Sequence, residues 1–117
     1  MKKLIPKEIL QELIANEEMS QMGMNRLDIV PVLRLFTPDA AATWVLVTGR
    51  KVDGDVILYG WCDLGLGFQE FGTVSLRELE TVRGKLGLPV ERDLYFRPTG
   101  SLHQMAEDAE AANATRL

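Results

Sequence analysis

The sequence predicts an α+β fold, a small antiparallel sheet of three to five strands packed with an N-terminal, a central and a C-terminal helix. Three observations carry this. β-Branched and aromatic runs crowd between residues 29 and 62 at hairpin spacing. Apolar residues at helical spacing occur in three segments outside that run. Consecutive strands joined by short turns pair antiparallel, whereas a parallel sheet needs strands that alternate with helices. At 117 residues the chain reads as one domain, 1–117. Its 46% of apolar residues exclude the disordered class, which is poor in large apolar side chains.

The elements follow in order. Ile9, Leu10, Leu13 and Ile14 share a helical stripe after Pro6, predicting a helix over about 6–16 that stops at Asn16. Residues 17–28 are polar with scattered methionines and read as a connection, and 29–98 as the core. Ile29 to Phe36 is strand-like and ends at the turn Thr37-Pro38-Asp39. Thr43 to Cys62 predicts a hairpin about Asp53-Gly54, a favoured tight-turn pair. In its second strand both alternating faces, Val56 and Leu58 against Ile57, Tyr59 and Trp61, are apolar, which predicts a central strand covered on both sides.

Cys62 to Gly72 packs three glycines among Leu64, Leu66, Phe68 and Phe71. It predicts a bend in which Gly65 and Gly67 supply positive φ or a close backbone approach, the four apolar residues anchor into the core, and the chain re-enters a strand at 71–74. Ser75-x-x-Glu78 is a capping box, predicting a helix from Ser75 closed by Gly84 or Gly87. Asp93 to Pro98 reads as a short strand. Ser101-x-x-Gln104 opens a last helix over about 101–113, with Leu102, Met105, Ala106 and Ala109 as a narrow apolar stripe that frays towards Leu117.

Chemistry is sparse. Gly65, Gly67 and Gly72 fit neither the dinucleotide fingerprint nor a Walker loop, and Glu78 at the following helix start would repel a phosphate. Asp39, Asp63, Glu70 and Glu91 or Asp93 lie near element ends, as the oxygen ligands of a magnesium-dependent hydrolase or nuclease would, but their spacing is not diagnostic. One cysteine, Cys62, and one histidine, His103, are too few for a zinc site and make a nucleophilic pair only if they meet in space. Arg34, Arg50, Lys51, Arg92 and Arg97 with Trp44, Tyr59 and Tyr95 would suit a single-strand nucleic-acid binder if one sheet face gathered them. A net charge of −4 gives no basic stripe for duplex DNA.

A single cysteine points to the cytoplasm. The two lysines at the start suggest an export signal, but Pro6, Lys7 and Glu8 interrupt it at once, so the expectation is a soluble, unexported protein with no membrane segment.

The stretches LFTPDAAATWVLV and YGWCDLGLGFQEFGTVSLRELETVRGKLGLPVERDLYF, within about Val32 to Phe96, closely resemble DUF2958, a bacterial family of unknown function. The resemblance implies a gene of plasmids, phages or integrated elements, often beside antirestriction-type genes. Gln69 stands where the family usually has proline, and Tyr95 where histidine is common. A catalytic role for that histidine would therefore be lost here. The resulting expectation is a non-enzymatic protein-binding module, without cofactor or metal, that blunts a host nucleic-acid defence of restriction or CRISPR type. Its partner-binding residues are expected among Asp39, Asp63, Glu70, Glu91, Arg92 and Asp93. A host defence effector is the expected partner, duplex DNA is not, and self-association is left open.

Overall fold

A computed structural model describes residues 3–115, with side chains to residue 112. Five strands form one sheet: β1 (Leu33–Phe36), β2 (Thr43–Val52), β3 (Asp55–Asp63), β4 (Gln69–Ser75) and β5 (Glu91–Arg92). Their spatial order is β4-β3-β2-β1-β5, and every neighbouring pair is antiparallel. The helices are α1 (Lys7–Gln21), a single turn α2 (Leu76–Leu79) and α3 (Leu102–Thr115). The architecture is the α+β fold expected.

Alternation along the strands builds two cores. Leu33, Leu35, Trp44, Leu46, Val56 and Leu58 face α1 and α2, where Leu13 and Leu79 complete the packing. Val45, Val47 and Trp61 face the other way, against Leu102 and Ala106 of α3 and Ile29. Strand β3 lies between β2 and β4, covered on both sides as its composition predicts. Asp53 and Gly54, both with positive φ, make the two-residue turn that leads into it.

The differences from the sequence reading have long-range causes. Helix α1 runs to Gln21, five residues beyond the expected stop at Asn16. Asn16 donates its Nδ2 to the Val47 carbonyl at 2.9 Å, just where a bulge between Leu46 and Thr48 takes β2 out of register with β3. The next residue, Glu17, is buried and accepts from both Ser20 Oγ and Arg26 Nη2, the guanidinium lying over the Tyr59 ring at 4.9 Å. What reads as a loose connection is thus the last turns of a helix held by a buried acid. Strand β1 begins at Leu33 rather than Ile29, since Pro31 has no N–H to give to a ladder; residues 26–28 before it form a 3-10 turn capped by Asn25. The strand expected at 93–98 is instead β5 at Glu91–Arg92, followed by a turn in which Asp93 accepts the Tyr95 N–H. The fraying expected at Leu117 lies outside the described residues.

Candidate functional site

Strands β3 and β4 pair out to Asp63 opposite Gln69, so residues 64–68 project past the end of the sheet. Gly65 and Gly67 have φ of 78° and 92°, as the bend requires. Gly65 also packs against the β1–β2 connection, since a Cβ there would meet Ala41 Cβ at 2.6 Å. Asp63 Oδ1 accepts the Gly65 N–H at 2.8 Å and closes the first bend. The bend is structured, but its anchoring is not the one expected. Leu64, Leu66, Phe68 and Phe71 do not enter the core; Leu66 and Phe68 are 68% and 58% exposed. For Leu64, Leu66 and Phe68 the physical reason is reach, because a hairpin loop beyond the last paired residues has no core beneath it; Phe71 lies within β4, opposite Trp61, on the outer strand of the sheet.

Beside this tip, the outer strand β4 has no strand on its far side. A groove of about 320 Å³ lies on the α2 side of the sheet, lined by Cys62, Leu64, Val74 and Leu79 with Glu70 and Glu78 among its carboxylates. Burial and the charges of Asp63 and Glu70 push the Cys62 thiol pKa up, which holds it in the protonated, poorly nucleophilic form. Of the expected residues Glu70 lines this apolar, acidic groove, whereas Asp63 lines a cavity on the α3 side of the sheet.

Asp39 has a different task. Its Oδ2 accepts the Leu86 and Leu88 N–H groups at 2.6 and 3.2 Å, and the space a side chain at Gly84 would need is filled by the same carboxylate. This clamp, with the Arg83–Pro89 bridge, explains why α2 ends after one turn rather than reaching Gly84 or Gly87. At the start of α2 the Ser75 hydroxyl accepts the Glu78 N–H at 3.2 Å, as the cap predicts. The Ser75 hydroxyl donates to Asp55, whose carboxylate also takes the Val56 and Arg77 N–H groups. These bonds, that from Ser75 foremost, hold the Asp55 pKa below the usual carboxylate value. Sequence reading missed Asp55, although its place directly after a tight-turn pair marks it as a capping residue.

Glu91, Arg92 and Asp93 sit at the opposite edge of the sheet, on and after β5. Asp93 is paired with Arg34 at 3.2 Å, and Arg34 also donates to Thr43 Oγ1. A groove of about 630 Å³ runs here past Phe36, Arg83, Glu91, Arg92 and Tyr95, mixing both signs of charge. The six expected residues thus divide into a clamp (Asp39), an edge pair (Asp63 and Glu70) and a far-edge trio.

The rival constellations are not gathered. Cys62 packs with the α1-side core, whereas His103 is on α3 across the sheet, paired with Glu107 at 2.9 Å. Among the described residues no group of three or more His, Cys, Asp or Glu side chains could hold a metal ion. Trp44 is buried on one face, Tyr59 packs on the other beneath Arg26, and Arg50 and Lys51 adjoin the distant Asp53-Gly54 turn. No shared stacking platform results. Among the described residues no helix is long and apolar enough to cross a membrane.

Fold and surface together define a small α+β domain whose exposed apolar residues include a structured hairpin tip, besides Met22, Leu86 and Tyr95 elsewhere on the surface. The family model of DUF2958, a protein of unknown function, matches residues 4–116, and the chain belongs to that family. The match extends beyond the stretch from Val32 to Phe96 to take in the whole of α1 and α3, so both helical covers belong to the family domain. No curated protein and no solved structure matches the chain.

Proposed function

We infer that this protein is a non-enzymatic, cytoplasmic protein-binding module that docks through the β3–β4 tip and the β4 edge. The observation that carries the reading is the pair Leu66 and Phe68, exposed on a bend fixed by Gly65, Gly67 and Asp63. A preformed loop that presents apolar side chains loses little conformational entropy on binding. Acidic groups at the two ends of the tip, Asp63 and Glu70, and a net charge of −4 select a partner with an apolar side chain set among lysines or arginines. Nucleic-acid enzymes carry such basic surfaces. That chemistry supports a host defence effector of restriction or CRISPR type as the partner, in keeping with the mobile-element setting that the family resemblance implies.

The test compares capture from the native host by wild type and by the double variant Leu66→Glu with Phe68→Glu. Both positions are exposed, so the variant keeps the fold. The expected result is one basic partner retained by wild type and lost by the variant. Equal retention by both, or a chain whose light-scattering mass shows only self-association broken by the variant, contradicts the reading.

A further inference from the structure

We propose that the cavity between α3 and the sheet binds a small aromatic molecule, neutral or cationic, that carries a hydrogen-bond acceptor. This site opens on the α3 side of the sheet, the face opposite the α2-side groove; Trp61 lines both, and Asp63 also fixes the docking tip. Its volume is about 280 Å³, just under the roughly 300–1,000 Å³ usual for drug-sized ligands and so suited to a smaller one. The space exists because α3 turns Ala106 and Ala109 towards the sheet where larger residues would fill the gap.

The lining chooses the ligand. Trp61 is 8% exposed, and its indole Nε1 is buried without any hydrogen-bond partner. Buried donors in folded proteins are nearly always paired, so an acceptor belongs there. Trp61, Phe96 and Met105 offer two rings and a thioether, which favour an aromatic body. Arg34 also lines the cavity, but its charge is balanced by Asp93 and it donates to Thr43 as well. Asp63 uses Oδ1 on the Gly65 N–H and leaves Oδ2 without a protein donor among the described residues. The net negative charge at this end disfavours anions and leaves an acceptor for an amine or amide N–H.

The probes are benzamide, 4-methoxybenzylamine (a cation with an ether acceptor) and benzoate, titrated into the full chain while the two tryptophan indole N–H resonances are followed by NMR. Trp44, buried on the opposite face, serves as the internal reference. The proposal expects a saturable shift of the Trp61 signal alone with benzamide and 4-methoxybenzylamine, and binding about tenfold weaker or more for benzoate. Ala109→Leu fills the cavity and should weaken benzamide by about tenfold or more. Trp61→Phe, read by titration calorimetry because its reporter signal is gone, keeps a ring and removes the donor, with an expected loss of about fivefold, the worth of one neutral hydrogen bond. A single trapped water would satisfy the indole without giving any saturable shift. The proposal is overturned if neither neutral nor cationic probe saturates by about 10 mM. It is overturned equally if benzoate binds as well as benzamide, or if a folded Ala109→Leu or Trp61→Phe binds like wild type.

Discussion

Replacing Asp39 with alanine removes one carboxylate that holds two distant backbone groups, the N–H of Leu86 at 2.6 Å and of Leu88 at 3.2 Å. A hydrogen bond to a charged acceptor contributes roughly 1.5–3 kcal/mol where the donor stays buried once the acceptor is gone. Here Leu86 and Leu88 are exposed, so water re-solvates both donors and about 1 kcal/mol each is the better figure. The expected loss is therefore about 2 kcal/mol. An unfolding entropy of about 2.1 cal/mol/K per residue over 117 residues gives about 0.25 kcal/mol/K, so Tm should fall by about 8 °C. Gly84→Ala should cost a similar amount, because its Cβ takes the place of the Asp39 carboxylate. With Asp39 already alanine that conflict vanishes, and Gly84→Ala becomes neutral or stabilising by about 0.5 kcal/mol. Thermal and urea unfolding of the two single variants and the double variant measure the coupling. A Tm change under about 2 °C for Asp39→Ala, or strictly additive costs in the double variant, would refute the clamp.

The two bend glycines should differ. Gly67→Ala places alanine at positive φ for about 1 kcal/mol, whereas Gly65→Ala adds a clash with Ala41 and should cost about 3 kcal/mol; equal urea midpoints would contradict this. Ser75→Ala should cost about 1 kcal/mol through the lost cap, and an unchanged melt would mean that α2 is not held by Ser75. Because the folded Asp55 pKa is lowered, the stability from its hydrogen bonds is present in full above its ordinary value of 3.8 and is lost as pH falls through the lower folded value. The gap between wild type and Ser75→Ala should therefore narrow in acid unfolding below pH 3.8, and a gap that widened there would reverse the assignment. With its pKa raised, Cys62 should react with a thiol reagent at neutral pH more slowly than a free cysteine; a rate at or above that of the free amino acid would show a different environment.

Elements set by local chemistry were legible in the sequence. The Asp53-Gly54 hairpin, the two-faced strand β3, the Ser75 cap and the positive φ at Gly65 and Gly67 all follow from neighbours in the chain. What escaped was fixed from afar. Helix α1 passes Asn16 because that side chain finds the Val47 carbonyl of a bulged strand, and because Glu17 finds Arg26. Helix α2 stops early because Asp39, from the β1–β2 connection, takes the N–H groups that a continued helix would use. No local pattern announces either contact. The candidate surface was half legible, since Asp63 and Glu70 do flank the tip. The exposure of Leu66 and Phe68 was not legible, because apolar side chains in a glycine-rich bend read as anchors until the strand register shows them beyond the sheet's end.

Hydrogen exchange on the chain, with and without the captured partner, tests docking through the β3–β4 tip most directly. The account predicts that added protection falls on residues 64–75, the tip and the free edge of β4. Protection confined to Glu91–Tyr95 or to α3, with exchange at 64–75 unchanged, would contradict it.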